Sequence, residues 1–521
     1  MPGSADRGKN PGPEQRGNEV MTTGKDFGGW TRRQILAALL STAASGALAN
    51  APVSSPRPQA RRQAGNGDHA AGNVDLHALS GLSGKCGYVV ADADTGEVLE
   101  SLNPLLGLPP ASTAKALTTI YGLTMLGSEY RFVTRVLATG PVENGELKGD
   151  LVLAGGGDPT LDTDALASLA KQLKDKGVRR ISGGALVWSG ALPYQRQIDA
   201  DQPDHLGYNP SLSGLNLNYN RIYFEWKRGT GGFEVTMDAR TRKYRPMVAM
   251  TTIKVVERDS PIYTQVSTKD MDQWTVARRA LGKKGGRWLP VRRPEYYAAE
   301  VFHTIARSYG IELPRFRKTD QPPNGPIMAE WCSEPLPGLL RDMLMYSTNL
   351  VAEAVGMSAS QASGKSPENL AASGRMMSDW LKATGNANHA KFVDHSGLGE
   401  DSRISARDMV RVLNAQGWNG ALHGLMKEIW LRDDKGRPIK AHPVKVQAKT
   451  GTLNFVSALA GYATGPNGRH LAFAIFTADL DKRKKIGKSQ RERPVGARGW
   501  NRQSKILQQK LIERWSDIYR A

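Results

Sequence analysis

Ser112 stands three residues before Lys115 in the run PPASTAKALTTIYGL, a spacing that puts a hydroxyl and an amine on one face of a helix. A serine hydroxyl attacks poorly at neutral pH unless a base takes its proton. Lysine can be that base when desolvation or a neighbouring cation lowers its pKa. Two later clusters supply the remaining parts: Ser347-Thr-Asn349 in MLMYSTNLVAEAV and Lys449-Thr450-Gly451-Thr452 in VQAKTGTLNF. Lys449 is a candidate for the neighbouring cation. Ser347 can pass a proton to a leaving amine, while Asn349 orients Lys115 and a substrate amide. Lys449, Thr450 and Thr452 can hold a carboxylate, and Gly451 lets a substrate backbone come close. Taken in this order, the residues predict acyl transfer through a serine ester. Whether Lys115 is the base alone stays open.

Each short motif is weak by itself, and Ser101-Leu-Asn103 repeats the second one in the wrong place. The elements around them give them weight. Pro109 and Pro110 suit a helix entrance, and Ala114, Ala116, Leu117 and Ile120 continue it, so Ser112 is expected at a helix N-terminus, where backbone N–H groups favour negative charge. Leu339, Leu340, Met343 and Leu344 recur at helical spacing before Ser347, and an apolar run from Leu350 to Val355 follows it, which predicts a turn between two helices. From Val444 to Thr452 the chain alternates: Val444, Val446 and Ala448 take one face, and Lys445, Gln447 and Lys449 the other, as in a half-buried strand. With SALAGYAT, a Gly465-Pro-Asn-Gly468 turn and HLAFAIFTA, it predicts an antiparallel meander. SKILQQKLIERWSDIY reads as an amphipathic helix packed on that sheet.

The three motifs are the S-x-x-K, S-x-N and K-T-G elements of penicillin-recognising serine enzymes. Together with CGYVVADADTGEVLESLNP, GDLVLAGGGDPTL, YNPSLSGLNLNYNRIYFEW and DHSGLGEDSRISARDM, the chain resembles class C low-molecular-mass penicillin-binding proteins, the D-alanyl-D-alanine carboxypeptidases and endopeptidases, from roughly Gly84 onward. The resemblance implies an α/β (α+β) fold, with an antiparallel sheet flanked by helices and a largely β insertion between the first and second motifs. It implies peptidoglycan stem peptides as substrates, β-lactam antibiotics as acylating ligands, and no metal or organic cofactor. It also implies an oxyanion hole from the backbone N–H groups of Ser112 and Thr452, and a role for Asp158 in binding the side-chain ammonium of a diamino acid; a turn-forming Asp-Pro is the other account of Asp158. A serine β-lactamase or a non-catalytic wall-binding scaffold would carry the same motifs.

Ser112 and Ser347 are 235 positions apart, room for at least one extra domain, and the sequence between them is rich in short β-prone runs such as FEVTMDA and MVAMTTIKVV. The expected division is a signal over residues 1–51, a disordered linker over 52–75, a first catalytic part over 76–145, an insertion over 146–325 and a second catalytic part over 326–521. Thr31-Arg32-Arg33 before a mildly apolar run to Ala49 reads as a twin-arginine export signal, with Met1 or Met21 as start, and so predicts a periplasmic enzyme. In an oxidising space Cys86 and Cys332 could form one bridge. No Cys-x-x-Cys or His-Glu-x-x-His spacing occurs, and nine scattered histidines make no metal constellation.

The net charge of +20 gathers in places: Arg278, Arg279, Lys283, Lys284, Arg287, Arg292 and Arg293 alternate with Trp274 and Trp288, and Lys482 to Lys485 form a second run. An exported protein has no nucleic-acid partner, so the basic face is read as meeting anionic cell wall or membrane, or as simply solvated. Oligomeric state is not written in the sequence.

Overall fold

A computed structural model describes residues 76–519; the expected export signal and linker lie outside these residues. The two outer pieces of the chain build one antiparallel sheet. Its strands are β1 (Lys85–Asp92), β2 (Val98–Leu102), β3 (Lys427–Glu428), β4 (Lys445–Leu453), β5 (Val456–Thr464) and β6 (His470–Ala478), in the order β3-β4-β5-β6-β1-β2. β4, β5 and β6 are the predicted meander. β1 pairs with β6 from Lys85 opposite Ala478 to Asp92 opposite Leu471, which joins the beginning of the described chain to its end.

Strand side chains alternate between two cores. On β1 and β6, Cys86, Val90, Leu471, Phe473 and Ile475 face a helix near the C-terminus, α6 (Ala497–Ile518), which covers them with Leu507, Leu511, Ile512 and Trp515. Val89, Ala91, Ala472, Ala474 and Phe476 face the opposite layer. That layer holds α1 (Ala114–Leu126), α2 (Leu336–Tyr346), α3 (Asn349–Ala362), α4 (Leu370–Ala383) and α5 (Ala406–Gln416). Burial on both faces explains why HLAFAIFTA is apolar almost throughout. On β4 the alternation holds at Lys445, exposed, and at Val446 and Ala448, buried, but Lys449, placed with the polar face, is only 2% exposed.

Between α1 and α2 the chain leaves this domain. The insertion is largely β: a five-stranded mixed sheet, two three-stranded sheets and a small three-stranded one, with helices Thr163–Asp175 and Pro294–Ser308 sharing its core. The five-stranded sheet includes Val133–Ala138 and Ile327–Cys332, which pair with each other. Val133–Ala138 pairs on its other side with Leu151–Ala154. Its segment around Leu192 and Leu212 returns to pack on Leu350, Ala354 and Met357 of α3.

Cys86 is buried on β1 and Cys332 is exposed at the end of an insertion strand; the two are not bridged. The basic run of the insertion is also interrupted. Arg292 is 0% exposed and gives its guanidinium to the carbonyls of Arg196, Asp204 and Asn209, and Trp274 lies in the insertion core. No helix among the described residues is long and apolar enough to cross a membrane.

Candidate active site

Ser112 lies in a single 3-10 turn, Ala111–Thr113, that leads into α1. Ala111 takes a positive φ of 46°, a conformation that costs a residue with a Cβ and tends to mark functional turns. One helical turn on, Lys115 points back at the serine: Nζ is 3.1 Å from Ser112 Oγ, 2.7 Å from Asn349 Oδ1 and 2.8 Å from the carbonyl oxygen of Ser396. Three acceptors match the three protons of an ammonium. When the amine is neutral, Asn349 and Ser396 hold its two N–H groups and the lone pair is left facing Ser112.

The second motif spans the break between α2 and α3. Ser347 caps α2 in the left-handed region, φ 59°, and Asn349 opens α3. Lys449 on β4 donates to Ser347 Oγ at 3.0 Å and to the carbonyl of Thr450 at 2.9 Å. Ser347 is therefore supported by Lys449, while Asn349 bonds Lys115. The Asn349 amide nitrogen donates to the carbonyl of Tyr208 in the insertion at 2.8 Å, so it is engaged by the protein itself.

Gly451 lies against the turn that carries the nucleophile. A Cβ built on it would lie 2.7 Å from the Pro110 carbonyl oxygen, 3.0 Å from Ala111 Cβ and 3.0 Å from Ser112 N. The glycine thus lets the strand approach the nucleophile's own turn. Thr450 and Thr452 are exposed on the same strand, where β3 no longer covers it: β3 pairs only with Gln447 and Ala448.

The electrostatics suit a lysine base. Burial pushes Lys115 down to about 8, against the pull of the Glu353 and Asp394 carboxylates. Lys449 falls to about 7, through burial first and then the charges of Lys115 and Lys427. Desolvation, more than the second lysine, thus lowers Lys115.

Asp158 is 1% exposed; Oδ1 accepts from Thr160 N and Oγ1, and Oδ2 has no hydrogen-bond partner. Burial raises its carboxyl to about 6. No hydrogen bond brings it to Ser112, Ser347 or Lys449, and its bonds to Thr160 are those of a local turn.

Sequence reasoning passed over Glu353, Asp394, the Ser396 carbonyl and the Tyr208 carbonyl. Glu353 had a signal: it is the one acid in the mostly apolar α3 run NLVAEAVGMSASQA, four residues after Asn349. The two carbonyls had none, since any residue type carries one. No group of His, Cys, Asp and Glu that could hold a metal occurs among the described residues.

The D-Ala-D-Ala carboxypeptidase 3 (S13) family matches residues 71–494 of the chain. Over 421 residues the chain is 25% identical to the D-alanyl-D-alanine carboxypeptidase DacB of Haemophilus influenzae, covering 77% of this chain and 87% of that protein. It is 27% identical over 426 residues to the D-alanyl-D-alanine carboxypeptidase of Actinomadura sp. strain R39, covering 75% and 77%. The crystal structure of penicillin binding protein 4 (dacB) from H. influenzae is similar with a TM-score of 0.64 at 22% identity, over 84% of this chain and 99% of that one. That protein has also been solved in complex with a β-lactam.

Proposed function

Because the chain belongs to the D-Ala-D-Ala carboxypeptidase 3 (S13) family and is a serine hydrolase of that kind, we propose that Ser112, Lys115, Ser347, Asn349 and Lys449 carry its reaction on peptidoglycan stem peptides. The supporting observation is the convergence of the three motifs: Lys115 Nζ bridges Ser112 Oγ and Asn349 Oδ1, and Lys449 Nζ reaches Ser347 Oγ.

Neutral Lys115 takes the proton of Ser112 Oγ as the oxygen attacks the carbonyl of the penultimate D-alanine. The oxyanion that forms is held by the backbone N–H groups of Ser112 and Thr452. Collapse breaks the amide bond, and the departing D-alanine amine takes the hydroxyl proton of Ser347, which Lys449 replaces from its ammonium. Deacylation resets both lysines: water attacks the ester, its proton passes back through Ser347 to the now neutral Lys449, and Lys115 returns the proton it holds to Ser112 Oγ. Lys449, Thr450 and Thr452 face the terminal carboxylate along the uncovered stretch of β4. Asp158, buried with one unsatisfied oxygen, is the candidate partner for a side-chain ammonium. Such substrates place the enzyme outside the cytoplasm, consistent with a twin-arginine export signal and a periplasmic location, where basic surface would meet anionic wall or membrane.

Intact-mass measurement after brief exposure to a penicillin tests the assignment. A single stable adduct on the wild type and none on Ser112→Ala is expected. An adduct that persists on Ser112→Ala, or a wild type that neither acylates nor hydrolyses penicillin, removes Ser112 as the nucleophile.

A further inference from the structure

Glu353 lies one helical turn beyond Asn349, so the two side chains leave α3 on the same face. Asn349 touches Lys115, and Glu353 sits deeper. Its two carboxylate oxygens accept the backbone N–H groups of Ser396, at 2.9 Å, and His395, at 3.0 Å. The residue is fully buried, and among the described residues no arginine or lysine forms an ion pair with it. Isolating a carboxylate in this way is expensive unless its hydrogen bonds are needed.

What they fix is the chain segment that carries the third acceptor of Lys115. Ser396 receives Glu353 at its N–H and presents its carbonyl to Lys115 Nζ at 2.8 Å. Asp394 holds the far side of the same segment through the N–H groups of Gly397, at 2.9 Å, and Gly399, at 2.5 Å. The His395 ring between them is parallel to Tyr121 and bonded to Ser373 Oγ at 2.7 Å.

We infer that Glu353 is a positioning residue for acylation: it pins the Ser396 carbonyl against Lys115 and so aims the Lys115 lone pair at Ser112. A neutral amine has two N–H groups to place. With Asn349 and Ser396 both fixed, one direction remains for the lone pair. If the Ser396 carbonyl moves, the amine can rotate and the proton path from Ser112 is lost.

The charged groups around Lys115 are Glu353 from α3, Asp394 from the 394–399 segment and Lys449 from β4. His395 is buried and held neutral, its pKa pushed down to about 3 by desolvation. Glu353 itself is raised by burial and by Asp394 and pulled back by its hydrogen bonds and Lys115. Because the Glu353 charge supports the ammonium form of Lys115, its removal moves the pH at which Lys115 becomes a base downward.

The inference rests on Ser112 and Lys115 acting as proposed above, and the test separates the two. Glu353→Gln keeps the shape of the side chain but replaces one acceptor oxygen with an N–H₂ group that opposes a backbone N–H. Acylation by a chromogenic β-lactam is followed in the full-length protein, per active site counted by burst titration, across pH 5 to 10. Glu353→Asp, which keeps the charge but shortens the reach, is measured beside it.

The expected result for Glu353→Gln is a ten- to hundredfold slower acylation step, of the order reported for small misplacements of reacting groups, with initial β-lactam binding unchanged and the rising limb of the pH profile moved to lower pH. Glu353→Asp should be slowed too, with its limb at the wild-type position. If the count of active sites falls but each site keeps the wild-type rate and profile, Glu353 only helps the chain fold and the inference is overturned. A Glu353→Gln protein with wild-type rate and profile overturns it as well. A wild type that fails to acylate overturns the Ser112 reading, and this one with it.

Discussion

Gly451→Ala tests the contact between β4 and the nucleophile's turn. The added Cβ would sit 2.7 Å from the Pro110 carbonyl oxygen and 3.0 Å from both Ala111 Cβ and Ser112 N. None of these is the end of a flexible side chain, so relief requires the strand and the turn to separate by about 0.5 Å, the gap back to ordinary contact. Overpacking of this kind costs about 1–3 kcal/mol, which lowers Tm by a few degrees in a chain of this size. The larger effect should fall on chemistry. Ser112 moves with its turn while Lys449 stays on the strand, and displacement on this scale reduces the acylation rate by roughly ten- to a hundredfold. The assay is the acylation rate with a chromogenic β-lactam alongside thermal unfolding, with Gly499→Ala as control, since nothing lies within 4 Å of a Cβ there. A Gly451→Ala enzyme with unchanged Tm and a rate within twofold of wild type would refute the reasoning. An intact Tm with weakened substrate binding alone would instead return Gly451 to the role of admitting substrate backbone.

The two lysines predict a bell-shaped pH dependence of kcat/KM. The reactive form has Lys115 neutral and Lys449 charged; with Lys115 lowered to about 8 and Lys449 to about 7 it is the minor of the two singly protonated forms, so activity rises as the pair loses its first proton and falls as it loses the second. The limbs belong to the pair and not to either residue alone. A bound carboxylate favours the Lys449 ammonium, so the falling limb in kcat should lie at higher pH than in kcat/KM; a rising limb near the ordinary lysine value of 10.5 would contradict the burial argument. In the insertion, Arg292→Met leaves the carbonyls of Arg196, Asp204 and Asn209 without their donor. It should cost about 1–3 kcal/mol in denaturant unfolding, the penalty of leaving buried acceptors unsatisfied, and no measurable loss would show that those carbonyls find other partners.

Much of the catalytic domain was legible because its chemistry is local. Ser112 and Lys115 share a turn, and the meander declares itself through alternation and a Gly-Pro-Asn-Gly turn. Reasoning by alternation failed at Lys449, since the polar face of a half-buried strand can still carry a lysine inward when a polar site is there to receive it. Arg292 and Trp274 looked like part of a basic, aromatic surface because sequence shows charge but not which carbonyls a guanidinium will find. The Ser396 and Tyr208 carbonyls were beyond reach for a related reason: both are backbone atoms, brought to Lys115 and Asn349 only by tertiary structure. The insertion was visible as a long gap with β-prone runs, but the pairing of Val133–Ala138 with Ile327–Cys332 was not, since strands this far apart in sequence meet only in the folded chain.

The pairing of β1 with β6 also bears on when the enzyme becomes active. Lys85–Asp92 must wait for Leu471–Ala478, so the sheet supporting the nucleophile cannot close until nearly the whole chain has been made. Contacts this distant in sequence slow folding, because the entropy of closing the loop is lost before the pairing rewards it. The insertion's core draws on residues from Val136 to Ala329 and so can form first, its ion pairs from His205 and Arg287 to Glu492 following later. The acyl-transfer site is then the last part of the molecule to exist, and a chain that stops short of β6 has its serine and its lysine but no enzyme.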